Sequence, residues 1–474
     1  MKTNKIKKIC CIGAGYVGGP TMAVFADRCP NLEIKVVDIN KLRIAAWNNK
    51  DVSKLPIFEP GLSEIIQRRR DKNLFFTSNL EESIGEADLI FISVNTPIKT
   101  KGIGAGKASD LKWVEASSRQ IAKYSKGYTI VVEKSTLPVK TAETIKNILI
   151  KSQINNNKES KSFSVLSNPE FLSEGNAIKD LVDPDRVLIG GEDETAIEAL
   201  ATIYSNWIPK NKIIRTNLWS SELSKLTSNA FLAQRISSIN SISALCEATG
   251  ADILQVCEAV GMDSRIGNKF LKPSPGFGGS CFKKDILNLV YLCDYYNLEE
   301  VGNYWQGVVD INDWQRLRIS RLIVDSLFGN VSEKKITILG FAFKANTNDT
   351  RESSSINICK DLLIEGAELS IYDPKVEKNQ IEKDLNSKPT KRFNKNDGYG
   401  IWDYYETIEE SIKDSDAIVV LTEWDEFMTI NWRDLYSMMR KPSWIFDTRN
   451  CIDIKEAKNA GFNIWAVGSS IFKD

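Results

Sequence analysis

The chain has 474 residues, 42% hydrophobic and 26% charged, with Lys plus Arg and Asp plus Glu both at 62. That length exceeds one compact core and suggests about three domains, in a chain too apolar for general disorder. Zero net charge argues against a protein that holds nucleic acid or a membrane surface through excess basic charge. There is no histidine, which excludes Ser-His-Asp and Cys-His catalysis and any histidine-ligated metal. Acid–base chemistry falls to Lys, Asp, Glu, Cys, Tyr or water, and no metal is expected. Nine cysteines, an odd number without a C-x-x-C, read as reduced thiols of a cytoplasmic protein, mostly core filler.

Lys8 to Ile12 is a short apolar run ending in glycines, as a buried parallel strand does and a signal peptide does not. A helix follows from about Pro20, then a strand over Glu33 to Asp38 closed by an acid. Strand patterns continue at Ala87 to Pro97, Tyr128 to Thr136 and Phe163 to Phe171. Lys99 to Asp110 and Ser152 to Ser162 read as loops. Trp219 to Thr249 lacks Pro and Gly and repeats apolar residues three to four apart, from Leu223 and Leu226 to Leu245. It predicts one helix of roughly 46 Å, capped by Ser220 or Ser221 and ended by Gly250. A strut that long joins domains or subunits. The strand–helix alternation restarts at Lys334 to Phe343, passes a helix over about Ser354 to Glu365 and a strand ending at Asp373, and closes with Asp416 to Trp424 and Trp444 to Asn450. The expected class is α/β: two Rossmann-like doubly wound parallel-sheet domains joined by a long central helix. No apolar stretch is long enough to span a bilayer.

Gly13, Ala14, Gly15, Tyr16, Val17 and Gly18 form a G-x-G-x-x-G between a strand and a helix. Such glycines allow a tight turn and bring backbone N–H groups to a pyrophosphate. Asp38 closes the next strand, where its carboxylate accepts from ribose hydroxyls and repels a 2′-phosphate, so NAD is favoured over NADP. The second sheet reads Gly340-Phe341-Ala342-Phe343-Lys344 instead and holds a different ligand or is structural. The glycine loop Gly276 to Gly279 leads into Ser280, a good N-cap, which places Cys281 in the first helical turn beside Lys283 and Lys284, where a thiolate is favoured. Asp285 follows on the same helical face, and Lys225 and Asn229 share a face of the long helix.

Together these motifs resemble the UDP-glucose 6-dehydrogenase family over about residues 5 to 470. The resemblance is carried by CIGAGYVGGPT (Cys11 to Thr21), SVNTP (Ser93 to Pro97), EKSTLPV (Glu133 to Val139), SNPEFLSEG (Ser167 to Gly175), the Lys225–Asn229 helix, GFGGSCFKKD (Gly276 to Asp285) and DTRESSS (Asp349 to Ser355). It implies an NAD-binding Rossmann domain over residues 1–215, a central helical dimerisation domain over 216–328 and a UDP-sugar-binding Rossmann-like domain over 329–474. It further implies a two-step oxidation of a sugar C6 alcohol to a carboxylate, consuming two NAD⁺ and one water.

By resemblance, Cys281 captures the C6 aldehyde as a thiohemiacetal whose oxidation leaves a thioester. Lys225 stabilises oxyanions, Asn229 holds sugar or water, Asp285 positions or deprotonates a water with support from Thr136, and Glu170 activates water for hydrolysis. NAD contacts are implied for Gly13 to Gly18, Asp38, Arg43, Val94, Asn95, Thr96, Pro97, Ser135, Thr136, Glu174, Lys284 and Arg351. Sugar-nucleotide contacts are implied for Glu170, Phe171, Leu172, Ser173, Glu174, Lys225, Asn229, Lys272, Pro273, Ser274, Pro275, Gly276, Phe277, Gly278, Phe343, Lys344 and Arg449, with Arg265 reaching in from a neighbouring subunit of a homo-oligomer. KANTND after Phe343 and the single arginine of Asp447-Thr448-Arg449-Asn450 depart from animal relatives. The chain ends at Asp474 without their long basic tail, so a dimer is expected. The competing readings are the same chemistry on UDP-N-acetylglucosamine, UDP-N-acetylmannosamine or GDP-mannose, a one-step hydroxyacid dehydrogenase, and a non-catalytic nucleotide-sugar sensor.

Overall fold

The computed structural model describes residues 6–135, 140–153, 161–390 and 398–469. Its two compact units are the residues up to Ser228 with Leu287–Asn297, and Asn229–Ile286 with the residues from Leu298 onward.

Among the described residues the first unit is built on eight strands and the second on six; those of the first are β1 (Lys8–Ile12), β2 (Glu33–Val37), β3 (Leu74–Thr77), β4 (Leu89–Ile92), β5 (Tyr128–Glu133), β6 (Ser162–Ser167), β7 (Val187–Gly191) and β8 (Ile213–Thr216). Their order is β3-β2-β1-β4-β5-β6-β7-β8. Side chains alternate across a strand, so Ile9 and Cys11 join one core with Ile34, Val36 and Phe91, while Cys10 and Ile12 join another with Val37, Ile90 and Ile92. Two buried faces explain why β1 and β4 read as continuous apolar runs. The first six strands follow the dinucleotide-binding order, which places ligand-binding loops at the carboxyl ends of β1 and β4. The sheet is not parallel throughout, as the sequence had suggested. β7 runs antiparallel to β6, and β8 is parallel to β7.

The second unit has six strands, all paired in parallel: β9 (Lys335–Leu339), β10 (Glu368–Tyr372), β11 (Ile401–Tyr404), β12 (Ala417–Val420), β13 (Trp444–Asp447) and β14 (Asn463–Ala466). The order β11-β10-β9-β12-β13-β14 repeats the first unit's topology.

The predicted strut is a helix over Leu218–Thr249, 32 residues long. Its start differs from the expectation in detail. Asn217 Oδ1 accepts the Ser220 N–H at 2.8 Å, while Ser221 is buried and bonds Ser167 Oγ at 3.0 Å. The helix begins one residue before Trp219, so the capping position falls on Asn217. At the far end Gly250, at φ +85°, bonds Cys246 O at 3.0 Å as expected. A second long helix, Glu299–Ser326, buries a stripe that includes Asn312, Gln315, Arg316, Ile319 and Ile323.

One buried pair in the first unit is acidic on both sides. Glu222, on the strut, accepts the N–H groups of Lys140 (2.7 Å) and Ala142 (2.8 Å) at the start of the helix Thr141–Gln153. Glu133, at the end of β5, is buried against it. Burial, and then the neighbouring Glu222 carboxylate, pushes the Glu133 carboxyl well above its ordinary value. Glu222 is raised less, because backbone N–H groups offset its burial. Glu133 is therefore the proton holder. A carboxyl raised by folding stabilises the native state below its unfolded value of about 4.3 and withdraws that contribution as pH climbs through the folded value. Between about pH 5 and about pH 9 the wild type should thus lose stability relative to Glu133→Gln, which needs no proton to bond Glu222. Parallel thermal melts of the two proteins across that range measure the difference, and identical slopes would refute it.

Candidate active site

The turn after β1 is shaped by contacts only glycine permits. Gly13 has φ +111°, and a Cβ there would lie 2.1 Å from Ser93 O; at Gly18 it would lie 2.0 Å from Gly13 O. Above Gly15 nothing stands within 4 Å of the same position, which leaves room for a pyrophosphate against the backbone. Tyr16 and Val17 complete the turn into the helix Gly18–Arg28. Asp38, just past β2, accepts the Ala14 N–H at 3.0 Å and the Asn40 N–H at 2.8 Å, with Arg43 Nη1 3.4 Å away. It therefore braces the turn and stands where a ribose would be read. Val94, Asn95, Thr96 and Pro97 follow β4, and Ser135 Oγ donates to Val94 O at 2.7 Å. These residues fit a dinucleotide. Thr136 lies outside the described residues.

The loop after β6 carries the predicted Glu170, Phe171, Leu172, Ser173 and Glu174. Glu170 Oε1 accepts the N–H groups of Phe171 (2.9 Å) and Leu172 (3.2 Å), and its Oε2 pairs with Lys134 Nζ at 2.8 Å. Lys134 is 3% exposed and also donates to Asn168 Oδ1 and Tyr204 Oη, both at 3.1 Å. Burial alone would lower its pKa; the Glu170 carboxylate and Tyr204 more than reverse this and raise it. The Phe171 ring has the Arg186 guanidinium 3.8 Å from its centroid and Lys225 Nζ 5.2 Å from it. Farther along the loop, Ser173 N–H donates to Asp180, and the N–H groups of Gly175 and Ala177 donate to the buried Glu59.

In the second unit Asp285 is 1% exposed, its Oδ2 accepting from Asn229 Nδ2 at 2.6 Å and its Oδ1 3.4 Å from Lys284 Nζ. Asn229 is itself buried. The helix that carries Asp285 is Phe282–Tyr295. Cys281 O accepts the Asp285 N–H at 2.9 Å, so Cys281 occupies the N-cap position that the sequence assigned to Ser280. The helix opens one residue later than predicted, and Ser280 Oγ lies 3.4 Å from Cys281 Sγ. Cys281 is partly exposed, as are Cys257 and Cys451. Burial pushes Cys10 up to about 12 and Cys29 and Cys257 to about 11, and raises Cys11, Cys246, Cys293, Cys359 and Cys451 as well.

The loop before Cys281 is fixed by polar groups from elsewhere in the unit. Ser274 N–H donates to Asn240 Oδ1 (2.8 Å), Phe277 N–H to Asn312 Oδ1 (2.7 Å), and Gln315 Nε2 to Ser274 O (3.0 Å). Arg316, 2% exposed, donates to Phe277 O (2.7 Å), Glu352 O (3.0 Å) and Ser354 Oγ (3.1 Å). Pro273, Pro275 and Gly276 are buried, Gly278 is half-buried and Lys272 exposed. A Cβ on Gly278 would lie 2.7 Å from Glu352 O and 2.8 Å from the Phe343 Cβ. Lys344 Nζ lies over the Phe343 ring, and Arg449 donates to Leu421 O and Phe343 O while pairing with Glu423 at 3.1 Å. Arg351 is clasped by Asp349, and Arg265, 88% exposed in its side chain, by Asp263.

Asp373, the second unit's counterpart of Asp38, is 1% exposed. Its carboxylate accepts the N–H groups of Phe341 (2.6 Å), Ala342 (3.0 Å), Lys375 (2.8 Å) and Val376 (2.9 Å) and the Trp424 indole (3.3 Å). It is committed to the fold.

Lys134, Glu59, Asn240, Asn312, Gln315 and Arg316 were not singled out from the sequence. One signal was available. Asn312, Gln315 and Arg316 fall three and four apart in register with Ile319 and Ile323, and polar residues on a core-facing stripe need buried partners.

Residues 7–208, 219–314 and 337–454 match the NAD binding, central and UDP binding domains of the UDP-glucose/GDP-mannose dehydrogenase family. UDP-glucose 6-dehydrogenase of Bos taurus is 56% identical over 98% of this chain and 94% of that protein. UDP-glucose 6-dehydrogenase 1 of Glycine max is 53% identical over 98% of this chain and 97% of that protein. The solved UDP-glucose dehydrogenase of the hyperthermophilic archaeon Pyrobaculum islandicum superposes with a TM-score of 0.82 at 28% identity, covering 99% of both chains. With three domain matches in order and more than half its residues shared with animal and plant relatives, the chain belongs to the UDP-glucose/GDP-mannose dehydrogenase family.

Proposed function

We propose that this chain is a UDP-glucose 6-dehydrogenase, oxidising UDP-glucose to UDP-glucuronate with two NAD⁺ and one water. The observation that carries this reading is identity of 52–56% across nearly the whole chain to curated relatives of that activity from animals and plants. Domains over residues 1–215, 216–328 and 329–474 are the division we propose.

NAD, held by the Gly13–Gly18 turn, Asp38, Arg43 and the residues after β4 and β5, supplies the hydride acceptor for both oxidations. The sulfur of Cys281 adds to the C6 aldehyde, so that this carbon stays covalently positioned and does not leave as a hydrate. Oxidation of the thiohemiacetal gives a thioester. Water then attacks C6, the C–S bond breaks and sulfur leaves as thiolate; the proton from water passes to Glu170. Lys225 offers a compact cation to the oxyanion at C6. Asp285 positions a water, in keeping with its fixed bonds to Asn229 and Lys284, and Thr136 supports it. The uridine nucleotide is assigned to the second sheet, whose Asp373 is unavailable to a ribose.

The protein acts as a homo-oligomer, at least a dimer, with Arg265 donated across subunits. Exposed apolar side chains on the strut and the neighbouring long helix support this, Phe231, Leu245 and Tyr304 each being more than half exposed. We assign it to the cytoplasm, in keeping with thiols that fill cores. Among the described residues no helix is long and apolar enough to cross a membrane.

With substrate limiting and NAD in excess, absorbance at 340 nm should report about two NADH per UDP-glucose consumed, as a thioester route requires; a ratio near one would overturn it. Cys281→Ala should form no UDP-glucuronate, and sustained acid formation by that variant would remove Cys281 from its role. Gly13→Ala should weaken NAD binding about tenfold or more by calorimetry, because its Cβ displaces the Ser93 carbonyl. Unchanged affinity would place the dinucleotide elsewhere.

A further inference from the structure

The hydrolysis step assigned to Glu170 needs a carboxylate that keeps one orientation through each turnover. Its Oε1 is fixed from below by the N–H groups of Phe171 and Leu172, at 2.9 and 3.2 Å. Those bonds leave the position of Oε2 to whatever holds it from the other side. Lys134 does so at 2.8 Å. Lys134 is not a surface cation that happened to land there. It follows β5 directly, is 3% exposed in its side chain, and spends its other two donors on Asn168 Oδ1 and Tyr204 Oη. Tyr204 Oη in turn donates to Asn168 Oδ1 at 2.7 Å, and Asn168 Nδ2 to Leu188 O at 2.7 Å. Two of the ammonium's protons thus have named acceptors, and those two bonds hold the charge 2.8 Å from one carboxylate oxygen, Glu170 Oε2, as an ion pair.

We propose that Lys134 is the positioning residue for Glu170, dedicated through Asn168 and Tyr204 to the water-attack step and not to either oxidation. The proposal rests on the assignment of thioester hydrolysis to Glu170. In that step water forms the C–O bond at C6 and its proton passes to the carboxylate, while the Cys281 sulfur departs with the electrons of the C–S bond. Lys134 fixes where the carboxylate points when the water attacks. The two oxidations make no demand on that function.

The test separates the half-reactions. In Lys134→Met, stopped-flow absorbance should show a pre-steady-state burst of about two NADH per site, near the wild-type amplitude, followed by a steady rate about 10 to 100-fold lower. Acid quenching during the slow phase should trap the acyl adduct on Cys281, visible in the intact protein mass. Lys134→Arg, which keeps the charge, should recover part of the steady rate. Glu170→Gln serves as the reference and should show the same burst and adduct; Lys134→Met in that background should slow turnover no further. Burst and steady rate falling together in Lys134→Met, without adduct, would reduce Lys134 to a structural role and overturn the proposal. If Glu170→Gln accumulates adduct and Lys134→Met does not, the proposal alone fails. If Glu170→Gln accumulates none, the assignment of Glu170 fails and this inference with it. Should Lys134→Met not fold, Tyr204→Phe carries the test: it removes one acceptor from the ammonium and keeps its charge, and an adduct level equal to wild type would count against the proposal.

Discussion

A cation withdrawn from water is tolerated only if every donor finds an oxygen and the charge a partner. Among the described residues, each unit contains such a cation beside one of its loops. In the first unit Lys134 is buried among Asn168, Tyr204 and Glu170. In the second Arg316 is buried among Phe277 O, Glu352 O, Ser354 Oγ and Asp313. The planar guanidinium suits the second task, because its fork spans two backbone segments at once, whereas the ammonium suits the first, where three acceptors converge on one point. Burial lowers the Arg316 pKa, and the oxygens around it are what keep that burial tolerable. Glu170 and Phe277 tie loops 170–174 and 274–279 to these cations.

The two sheets share a strand order, yet the acid after the second strand has opposite fates. Asp38 bonds two backbone N–H groups and keeps Arg43 at 3.4 Å. Asp373 accepts four backbone N–H groups and an indole and is shut away from solvent. The difference follows from what precedes it. Gly13 to Gly18 leaves open space above Gly15, whereas the turn after β9 places Phe341 and Ala342, both buried, over the same strand end. Topology alone therefore does not license a second dinucleotide. The turn decides it.

Much of the fold was legible because its signals were long or strongly periodic. The strut was readable from 31 residues without Pro or Gly, and the inner strands from apolar runs buried on both faces. What escaped lay at the sheet edges. β3, β8, β11 and β14 are the edge strands, four residues each and only partly buried, whereas β4, β12 and β13, no longer, showed as apolar runs because they lie inside the sheets. The reversed direction of β7 is a tertiary fact with no local signature. The same logic divides the sites. Gly13 to Gly18, Asp38 and Cys281 could be proposed from the sequence because the chemistry proposed for them demands particular residues at fixed spacing. Asn240, Asn312 and Glu59 act through partners 34, 35 and 116 or more residues away, and a single sequence does not display such pairings.

The missing histidine ties these observations together. Imidazole is the one side chain whose ordinary pKa lets it take and return a proton near neutrality. A site without it must work with groups whose ordinary values lie far from neutral, and so depends on placement more than on titration. That dependence fits the way the carboxylates are held. Glu170 has two N–H donors on one oxygen and an ammonium 2.8 Å from the other, and Asp285 has an amide at 2.6 Å and an ammonium at 3.4 Å. A carboxylate free to rotate could serve as a base in any direction; one gripped on both oxygens serves in one. The nucleophile we propose obeys the same rule by another means. Sulfur supplies reactivity that a hydroxyl would need a neighbouring base to reach, and Cys281 stands immediately before the helix Phe282–Tyr295, at the end where a helix dipole favours negative charge.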